Sequence, residues 1–256
     1  MIELEELEKI SKIKNLSIKS AEKDYLLEIV LYIISKYAGR KLAFKGGTAL
    51  YKLYSLNRFS EDLDFTLIDF KLDLNKLLKN IIDSLKDINI NAKVKEVDEY
   101  HNQKNIKLEL KGPLYKGNVN ELSVISINLS LKERIVLDVE SEKIFPYYKE
   151  IVSFDVFVVN LNEIFAEKIR AILTRDKARD VYDLWFLLKK NVKFDLSVVN
   201  KKLKIYAKKY NKEELIKKIE EKNKMWNLDL KNLMLGEIPN FQNVKKEILK
   251  FLIQKP

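Results

Sequence analysis

The first quarter of the chain switches between helical and strand-like spacing of its apolar residues. Residues 20–38 carry apolar side chains at helical spacing, which predicts a long, half-buried helix. An apolar run at 42–44, the turn Gly46-Gly47-Thr48 and an amphipathic stretch at 49–54 indicate a strand, a tight turn and a helix. Residues 62–68 mostly alternate polar with apolar, which is the period of a half-buried strand. This part of the chain therefore has a mixed α/β pattern.

The spacing stays mixed to about residue 160 and is helical from there on. After a helix at 72–85, a period of two predicts strands at Ala92–Val97, Asn105–Leu110, Leu122–Leu131, Ile135–Val139 and Phe154–Val159. From Asn162 onward the pattern is helical, with breaks near residues 174–177, 191–194, 211 and 236–239. We therefore expect an α/β part over residues 1–160 and an α-helical part over 161–256.

Composition removes several kinds of chemistry. None of the 256 residues is a cysteine, which excludes disulfides, cysteine-based zinc sites, iron–sulfur clusters and a thiol nucleophile. The single histidine, His101, excludes mechanisms that need two, and its place in a predicted turn favours a solvated loop residue. Carboxylate, lysine, hydroxyl and backbone chemistry remain, with a hard metal ion as the natural partner.

Positive charge is concentrated in the last quarter of the chain. The formal net charge is +10, and residues 191–256 hold 16 Lys against 8 Asp plus Glu. Two interpretations of this excess of lysine are equally weighted. The lysines form a surface that binds a phosphate backbone, or they belong to helices whose polar faces are well solvated. The lysines that would form such a surface are interleaved with tyrosines: Lys201, Lys202, Lys204, Lys208 and Lys209, with Tyr206 and Tyr210.

No targeting or membrane-spanning segment is expected. Four glutamates among the first eight residues have the wrong sign for a signal peptide. The longest apolar stretch, Leu26–Ile34, contains Glu28 and is far short of a span of about 20 residues. We expect a soluble, cytoplasmic protein without a membrane partner.

The segment 44–65 carries the chemistry. Gly46 and Gly47 let the backbone turn sharply beside a ligand, and Thr48 is placed to cap a helix whose free amides suit a phosphate. Asp62 and Asp64 lie two residues apart on one strand, so both carboxylates project from one face and favour a divalent cation between them. Taken alone, the glycines are also explained by an ordinary turn and the aspartates by a solvent-exposed strand face. Their combination favours metal-assisted phosphoryl or nucleotidyl transfer.

Lys168 interrupts an apolar helical face formed by residues such as Ile164, Phe165 and Ile172. Burying an unpaired ammonium is costly, so Lys168 either extends past its neighbours to water or meets an anion in a cleft.

These motifs resemble the AbiEii-type nucleotidyltransferases, the toxin half of type IV toxin–antitoxin and abortive-infection systems. The central string is FKGGTALYKLY…RFSEDLDF, in which thirteen residues separate the glycine turn from Asp62-Leu63-Asp64. The stretches EKDYLLEIVLY at 22–32 and KARDVYDLWFLL at 177–188 are similar to the same family. The resemblance covers roughly residues 20–190.

The resemblance implies an α+β fold: a mixed nucleotidyltransferase-like sheet with flanking helices over 1–160, and a helical C-terminal domain over 161–256 that completes the active-site cleft. It implies transfer of NMP from an NTP to an RNA acceptor, a tRNA 3′ end, with Mg²⁺ or Mn²⁺ as cofactor. It also implies a cognate antitoxin, without obligatory direct binding. A protein or small-molecule acceptor, or a non-catalytic binding module on the same fold, remains as an alternative.

The resemblance also assigns roles to residues. Metal ligands would be Asp62 and Asp64, and the triphosphate would be held by Gly46, Gly47 and Thr48. Arg58 and Ser60 match the family string as nucleotide-binding residues, with Arg58 fixing a carboxylate or a phosphate and Ser60 orienting the strand. A surface ion pair with Glu61 explains Arg58 equally well. The remaining catalytic candidates are Lys168, on the triphosphate or near the reacting hydroxyl, and Asp180 and Asp183, one of which would orient Lys168 or the acceptor.

A third carboxylate is expected from a neighbouring strand, as is common in nucleotidyltransferases. Asp138 is the first candidate because it interrupts the β-branched, apolar run 134–139. Glu109 and Glu140 compete with it, and the ordinary explanation is a strand-end aspartate.

Overall fold

A seven-stranded mixed sheet forms the centre of the α/β part. The computed structural model describes residues 1–100 and 103–254, so His101 lies outside the described residues. The strands are β1 (Leu42–Lys45), β2 (Asp62–Leu67), β3 (Ala92–Tyr100), β4 (Gln103–Leu110), β5 (Ser123–Ser130), β6 (Glu140–Ile144) and β7 (Phe154–Val158). Their spatial order is β3-β4-β5-β2-β1-β7-β6. The pairs β2–β5 and β1–β7 are parallel, and the other neighbours are antiparallel.

Helices flank the sheet and make up most of the chain after residue 160. They are α1 (Leu4–Ile13), α2 (Ile18–Ala38), α3 (Gly46–Tyr54), α4 (Leu74–Asp87), α5 (Leu161–Thr174), α6 (Ala178–Lys189), α7 (Leu196–Lys204), α8 (Lys212–Glu221), α9 (Trp226–Leu230) and α10 (Phe241–Ile253). None of the helices within the described ranges is long and apolar enough to cross a membrane. The predicted fold class, a mixed sheet with flanking helices followed by a helical part, is confirmed.

The chain divides into two compact units. Unit 1 contains Met1–Ser55, Phe59–Arg134 and Val139–Val158, and so includes the whole sheet. Unit 2 contains the helices from Val159 onward together with two short segments from earlier in the chain, Leu56–Arg58 and Ile135–Asp138.

In unit 1, helix α2 is more deeply buried than its pattern predicts. It contacts α1, α4 and the strands β2, β5 and β7, so apolar side chains on several of its sides are covered. Unit 2 is built in a comparable way around α5, which contacts α6, α7 and α8. Isoleucines and a phenylalanine on the inner side of α5 are completely or almost completely buried: Ile164, Phe165, Ile169 and Ile172.

The predicted strand at Ile135–Val139 is wrong, and the next strand, β6, is one that the periodicity did not predict. The backbone N–H groups of Val136 and Leu137 donate to the carboxylate of Glu163, at 3.0 and 2.7 Å, instead of to a neighbouring strand. Glu163 is fully buried and Lys202 lies 2.5 Å from it, which balances its charge. The segment is therefore held by a side chain from α5.

Unit 1 contains a buried cluster of charges around Asp24. Lys52 Nζ lies 2.7 Å from Asp24 Oδ1, and the Tyr148 hydroxyl donates to Asp24 Oδ2 at 2.7 Å. Lys14 also pairs with Asp24, and Lys52 with Glu28. Burial alone would raise the pKa of the Asp24 carboxyl, but the two lysines lower that pKa to about 2.

Acid should weaken unit 1 through this cluster. Because the folded-state pKa of Asp24 is about 2 and its ordinary value is 3.8, the charged form stabilises the fold above about pH 4. That contribution, on the order of 2 kcal/mol, is lost as the pH falls through 2. We expect Asp24→Asn to lower the free energy of unfolding at pH 6 by roughly 3–5 kcal/mol. In urea denaturation the difference from wild type should shrink between pH 5 and pH 2; a pH-independent difference would contradict the assignment.

Candidate active site

The predicted strand, glycine turn and helix are present as β1, Gly46-Gly47 and α3. Gly46 has φ +76°, a conformation that residues with a Cβ rarely adopt. A Cβ at Gly46 would collide with the Asp64 carboxylate and lie 3.1 Å from the Asp64 Cβ. The turn therefore needs glycine at this position both for its backbone conformation and for the space that Asp64 occupies.

The first turn of α3 has no side-chain cap. Its N-cap residue is Lys45, whose side chain makes no capping hydrogen bond and instead pairs with Glu133. The predicted capping role of Thr48 is wrong, because its hydroxyl donates to the backbone oxygen of Asp62 and ties α3 to β2. The amides at the start of α3 therefore receive no side-chain acceptor from a cap, which is the property that makes a helix start suitable for an anion.

Asp62 and Asp64 lie on β2 as the alternation predicts. They are partly exposed, whereas Leu63 and Phe65 between and after them are buried. Both carboxylates project from the same face of the strand. Two anionic side chains so placed are hard oxygen ligands of the type that divalent cations prefer.

A row of polar side chains crosses the sheet at the level of Asp64. Asn128 on β5 is the register partner of Asp64, and its Nδ2 donates to Asp64 Oδ1 at 2.9 Å. Asn105 on β4 is the register partner of Asn128 and donates to its Oδ1 at 2.6 Å. The two amides fix one another and present an N–H to Asp64, so Asn128 holds that carboxylate in one orientation.

Sequence reasoning missed Asn105 and Asn128. The alternation of residues 122–131 places Asn128 on the polar side of its strand, but nothing local indicates that β5 lies next to β2. Asp64 and Asn128 are 64 positions apart, and only the strand order joins them.

The third-carboxylate candidates lie at separate places. Asp138 is exposed in the segment held by Glu163 and belongs to unit 2. Glu109 on β4 pairs with Lys93 at 2.8 Å, and Glu140 begins β6. Over residues 1–100 and 103–254, no three carboxylate or imidazole side chains are grouped as a metal site would require. The assignment of a third ligand to Asp138 stays a prediction.

Unit 2 brings together Lys168, Asp180 and Asp183. Lys168 Nζ lies 3.0 Å from Asp180 Oδ1 and 2.5 Å from Asp183 Oδ2, with all three side chains almost completely buried. The lysine on the apolar face therefore meets anions from α6 and does not extend to water. Arg175 adds a second cation to Asp180, at 2.7 Å.

Arg58 completes this group from a distant part of the chain. Its Nε and Nη2 donate to the two oxygens of Asp183, each at 2.6 Å, and only 2% of the residue is exposed. The expected alternative, a surface ion pair with Glu61, is not what forms, since Glu61 pairs with Lys23 at 3.4 Å. Burial by itself would raise the pKa of the Asp183 carboxyl, but Arg58 and Lys168 hold that pKa below its usual range.

The carboxyls of Asp180 and Asp183 are therefore ionised at neutral pH, and they face three cations, from Lys168, Arg175 and Arg58. Asp180 and Asp183 both contact Lys168 Nζ, and the expectation that one of them orients Lys168 or the acceptor stays a prediction. Ser60, by contrast, belongs to unit 1 and is partly exposed. The catalytic and nucleotide-binding roles of these residues stay predictions.

The lysines expected to form a phosphate-binding surface do not act alike. Lys202 is buried against Glu163 and Glu167, and Lys208 pairs with Glu214 at 2.7 Å. Lys202 is therefore a structural residue of unit 2 and is not part of a phosphate-binding surface. Lys204 and Lys209 lie on the exposed side.

The comparisons with known proteins agree with this architecture. The family described as "Nucleotidyl transferase AbiEii toxin, Type IV TA system" matches residues 31–247. No curated protein matches the chain.

Three solved structures have similar folds. JHP933 from Helicobacter pylori is 22% identical with a TM-score of 0.54, over 93% of this chain and 97% of that one. A putative nucleotidyltransferase from H. pylori is 22% identical with a TM-score of 0.59, over 93% and 96%. MenT4, the nucleotidyltransferase toxin Rv2826c from Mycobacterium tuberculosis H37Rv, is 17% identical with a TM-score of 0.64, over 93% and 85%. At these identities the likeness concerns the fold alone.

The family match extends over most of both units and includes every candidate residue described above. Its members are nucleotidyltransferases that generally use an NTP and a divalent metal, and their type IV systems imply an antitoxin partner. The chain belongs to the AbiEii nucleotidyl transferase toxin family.

Proposed function

We propose that this nucleotidyltransferase uses Mg²⁺ to transfer an NMP from an NTP to RNA, with a tRNA 3′ end as the acceptor, in the cytoplasm. The observation that carries the proposal is the close packing of the glycine turn against Asp64, which puts an uncapped helix start beside a strand with two carboxylates. A triphosphate needs the first feature and a divalent cation the second.

The residues present fit a divalent metal. Asp62 and Asp64 offer hard oxygen ligands from one strand face, and the Asn128 amide leaves the other oxygen of Asp64 available. Mg²⁺ is commonly held by one or two protein carboxylates, so Asp62 and Asp64 would suffice to hold it. When bound, Mg²⁺ supplies Lewis-acid polarisation of the phosphate, and Mn²⁺ has the same ligand preferences.

The chain's own residues then position the reactants. The amides at the start of α3 would bind phosphate oxygens, and Asp62 and Asp64 would hold the cation. The acceptor hydroxyl oxygen forms a bond to the α-phosphorus, its proton passes to water, and the bond from that phosphorus to the bridging oxygen breaks. Pyrophosphate leaves with the bonding electron pair. Little covalent work falls to the protein, so positioning and electrostatics dominate.

RNA as the acceptor is supported by the excess of lysine in residues 191–256, of which Lys204 and Lys209 lie exposed. The same chemistry serves a protein or small-molecule acceptor, so the acceptor is decided by experiment. We expect the cognate antitoxin to act without obligatory direct binding.

Each of the four α-labelled NTPs should be incubated separately with the protein, Mg²⁺ and total RNA, beside the double variant Asp62→Asn/Asp64→Asn. Label in a tRNA-sized band with wild type alone is the expected result, and it identifies the base and the acceptor together. Label in protein would move the acceptor to the alternative class. No transfer to any acceptor, together with no Mg²⁺-dependent NTP binding in calorimetry, would favour a non-catalytic binding module.

Replacing Asn128 should impair transfer without unfolding unit 1. In Asn128→Ala the Asp64 carboxylate loses the N–H that orients it, and loss of such a partner costs roughly 10- to 100-fold in metal affinity or activity. We expect a higher Mg²⁺ requirement and a slower single-turnover rate. Asn105→Ala, one hydrogen bond further away, should have a smaller effect. Equal effects of the two variants, or an unchanged Mg²⁺ dependence in Asn128→Ala, would contradict this role.

A further inference from the structure

A cavity of about 610 Å³ lies in unit 1 on the β5 side of the aspartate strand. Its walls come from the first turns of α2, from Glu61 and from the segment that runs from Leu114 into β5. Glu61 directly precedes Asp62, and Ser123 and Val124 begin the strand whose Ser126 is the register partner of Asp62. Residues that line the cavity therefore lie next to Asp62 along β2 and next to its register partner along β5. The volume of the cavity is in the range of small-molecule sites, roughly 300–1,000 Å³.

The order of the strands separates this cavity from the glycine turn. β2 lies between β1 and β5, the turn Gly46-Gly47 follows β1, and the cavity adjoins β5. In phosphoryl transfer the attacking and leaving oxygens lie roughly in line on opposite sides of phosphorus. If the triphosphate binds at the glycine turn, on the β1 side of Asp62 and Asp64, the acceptor hydroxyl has to approach from the β5 side, where the cavity lies.

Three carboxylates line the cavity, and two of them, Glu22 and Glu121, accept hydrogen bonds from the protein itself. Glu22 is buried, and its two oxygens accept from the Leu114 N–H and the Ser123 hydroxyl, each at 2.7 Å. Glu121 accepts from the backbone N–H groups of Lys116 and Asn118, at 2.8 and 3.1 Å. Glu22 and Glu121 therefore stabilise the conformation of the segments that line the cavity, because their carboxylate oxygens accept hydrogen bonds from those segments.

The lysines around the cavity are differently placed. Lys19 and Lys116 are exposed and make no salt bridge to any residue within 1–100 and 103–254. Among the residues that the structure describes, Lys23 forms a salt bridge only with Glu61, at a long 3.4 Å. Three lysines and three glutamates line the cavity, so the formal charges of its lining balance. Lys19 and Lys116, which form no salt bridge within the described residues, are the cations placed to contact an anionic ligand with hydrogen-bond acceptors.

We propose that this cavity binds the reacting end of the RNA acceptor, with Lys19 and Lys116 contacting its phosphodiester oxygens and Glu22 holding the wall as a positioning residue. A phosphodiester strand carries negative charges that these two lysines can contact. The reacting hydroxyl would then enter next to Asp62. The inference rests on the proposed function, since it names the part of the molecule that receives the RNA.

The test compares Lys19→Gln/Lys116→Gln with a matched control, Lys79→Gln/Lys86→Gln. The control removes the same charge from two exposed lysines on α4 of the same unit, away from the cavity. With total tRNA as acceptor, we expect the cavity variant to raise KM for tRNA about tenfold, with KM for the NTP and the rate at saturating tRNA nearly retained. The slope of log affinity against log salt should fall by about 1.4, or 0.7 for each lost contact to a single strand.

The outcomes separate this inference from the proposed function. An unchanged KM for tRNA, or an equal rise in the α4 control, overturns the cavity assignment while transfer to RNA stands. If wild type labels protein and no RNA, the proposed acceptor is overturned and the cavity assignment with it.

Discussion

Asp64→Asn should reduce nucleotidyl transfer by about a thousandfold or more while the protein remains folded. The carboxylate is one of two anionic ligands on one strand face, and asparagine keeps its size but removes the charge that binds the cation. Loss of a charged group in a catalytic site lowers the rate by up to about 10⁴. Asp62→Asn should behave in the same way, because the contact from Thr48 is to the backbone oxygen of Asp62, which this substitution leaves in place. The measurement is single-turnover transfer of α-labelled NTP over a range of Mg²⁺ concentrations.

The control for this prediction is Asp83→Asn, which makes the same chemical change at an exposed position of α4 in the same unit. It should transfer at the wild-type rate. Thermal unfolding of all three variants should stay within a few degrees of wild type, because Asp62 and Asp64 are partly exposed and asparagine keeps the size of each side chain. A folded Asp64→Asn protein with more than a tenth of the wild-type rate would remove Asp64 from the reaction.

Local pattern predicts the parts of the site that depend on local geometry. The two-residue spacing of Asp62 and Asp64 sets a common face in any strand, and Leu63 and Phe65 are buried on the other face as the alternation requires. The glycine turn was predictable because few residues tolerate a sharp reversal between a strand and a helix. Such features need only the residues that form them.

Contacts between distant parts of the chain were not predictable in this way. Arg58 follows α3 closely in sequence, yet it belongs to unit 2 because its guanidinium is bound by both oxygens of Asp183, 125 positions later. Ile135–Val139 has the composition of a strand, but Glu163 takes the N–H groups that a strand neighbour would need. The periodicity of apolar residues indicates which side chains are shielded from water. It does not indicate that a buried carboxylate binds a backbone segment.

Gly46→Ala should nearly abolish transfer, whereas Gly39→Ala should leave it intact. Both glycines have positive φ, +76° and +51°, so alanine costs each position about 1–2 kcal/mol of backbone strain. They differ in their surroundings, because a Cβ at Gly39 meets no atom within 4 Å, while a Cβ at Gly46 collides with the Asp64 carboxylate. Gly39→Ala therefore reports the strain alone.

The collision at Gly46 can be relieved only by moving Asp64 or the start of α3. Either movement separates the proposed metal ligand from the proposed triphosphate site, and a displacement of about 1 Å at a reacting centre costs roughly a hundredfold. We expect Gly46→Ala to raise KM for the NTP and to lower the transfer rate by at least that factor, with a larger loss of thermal stability than Gly39→Ala because the collision adds to the backbone strain. If the two alanine variants lost equal stability and transferred equally well, the contact between the glycine turn and Asp64 would be a packing detail, and the triphosphate would have to bind elsewhere in the protein.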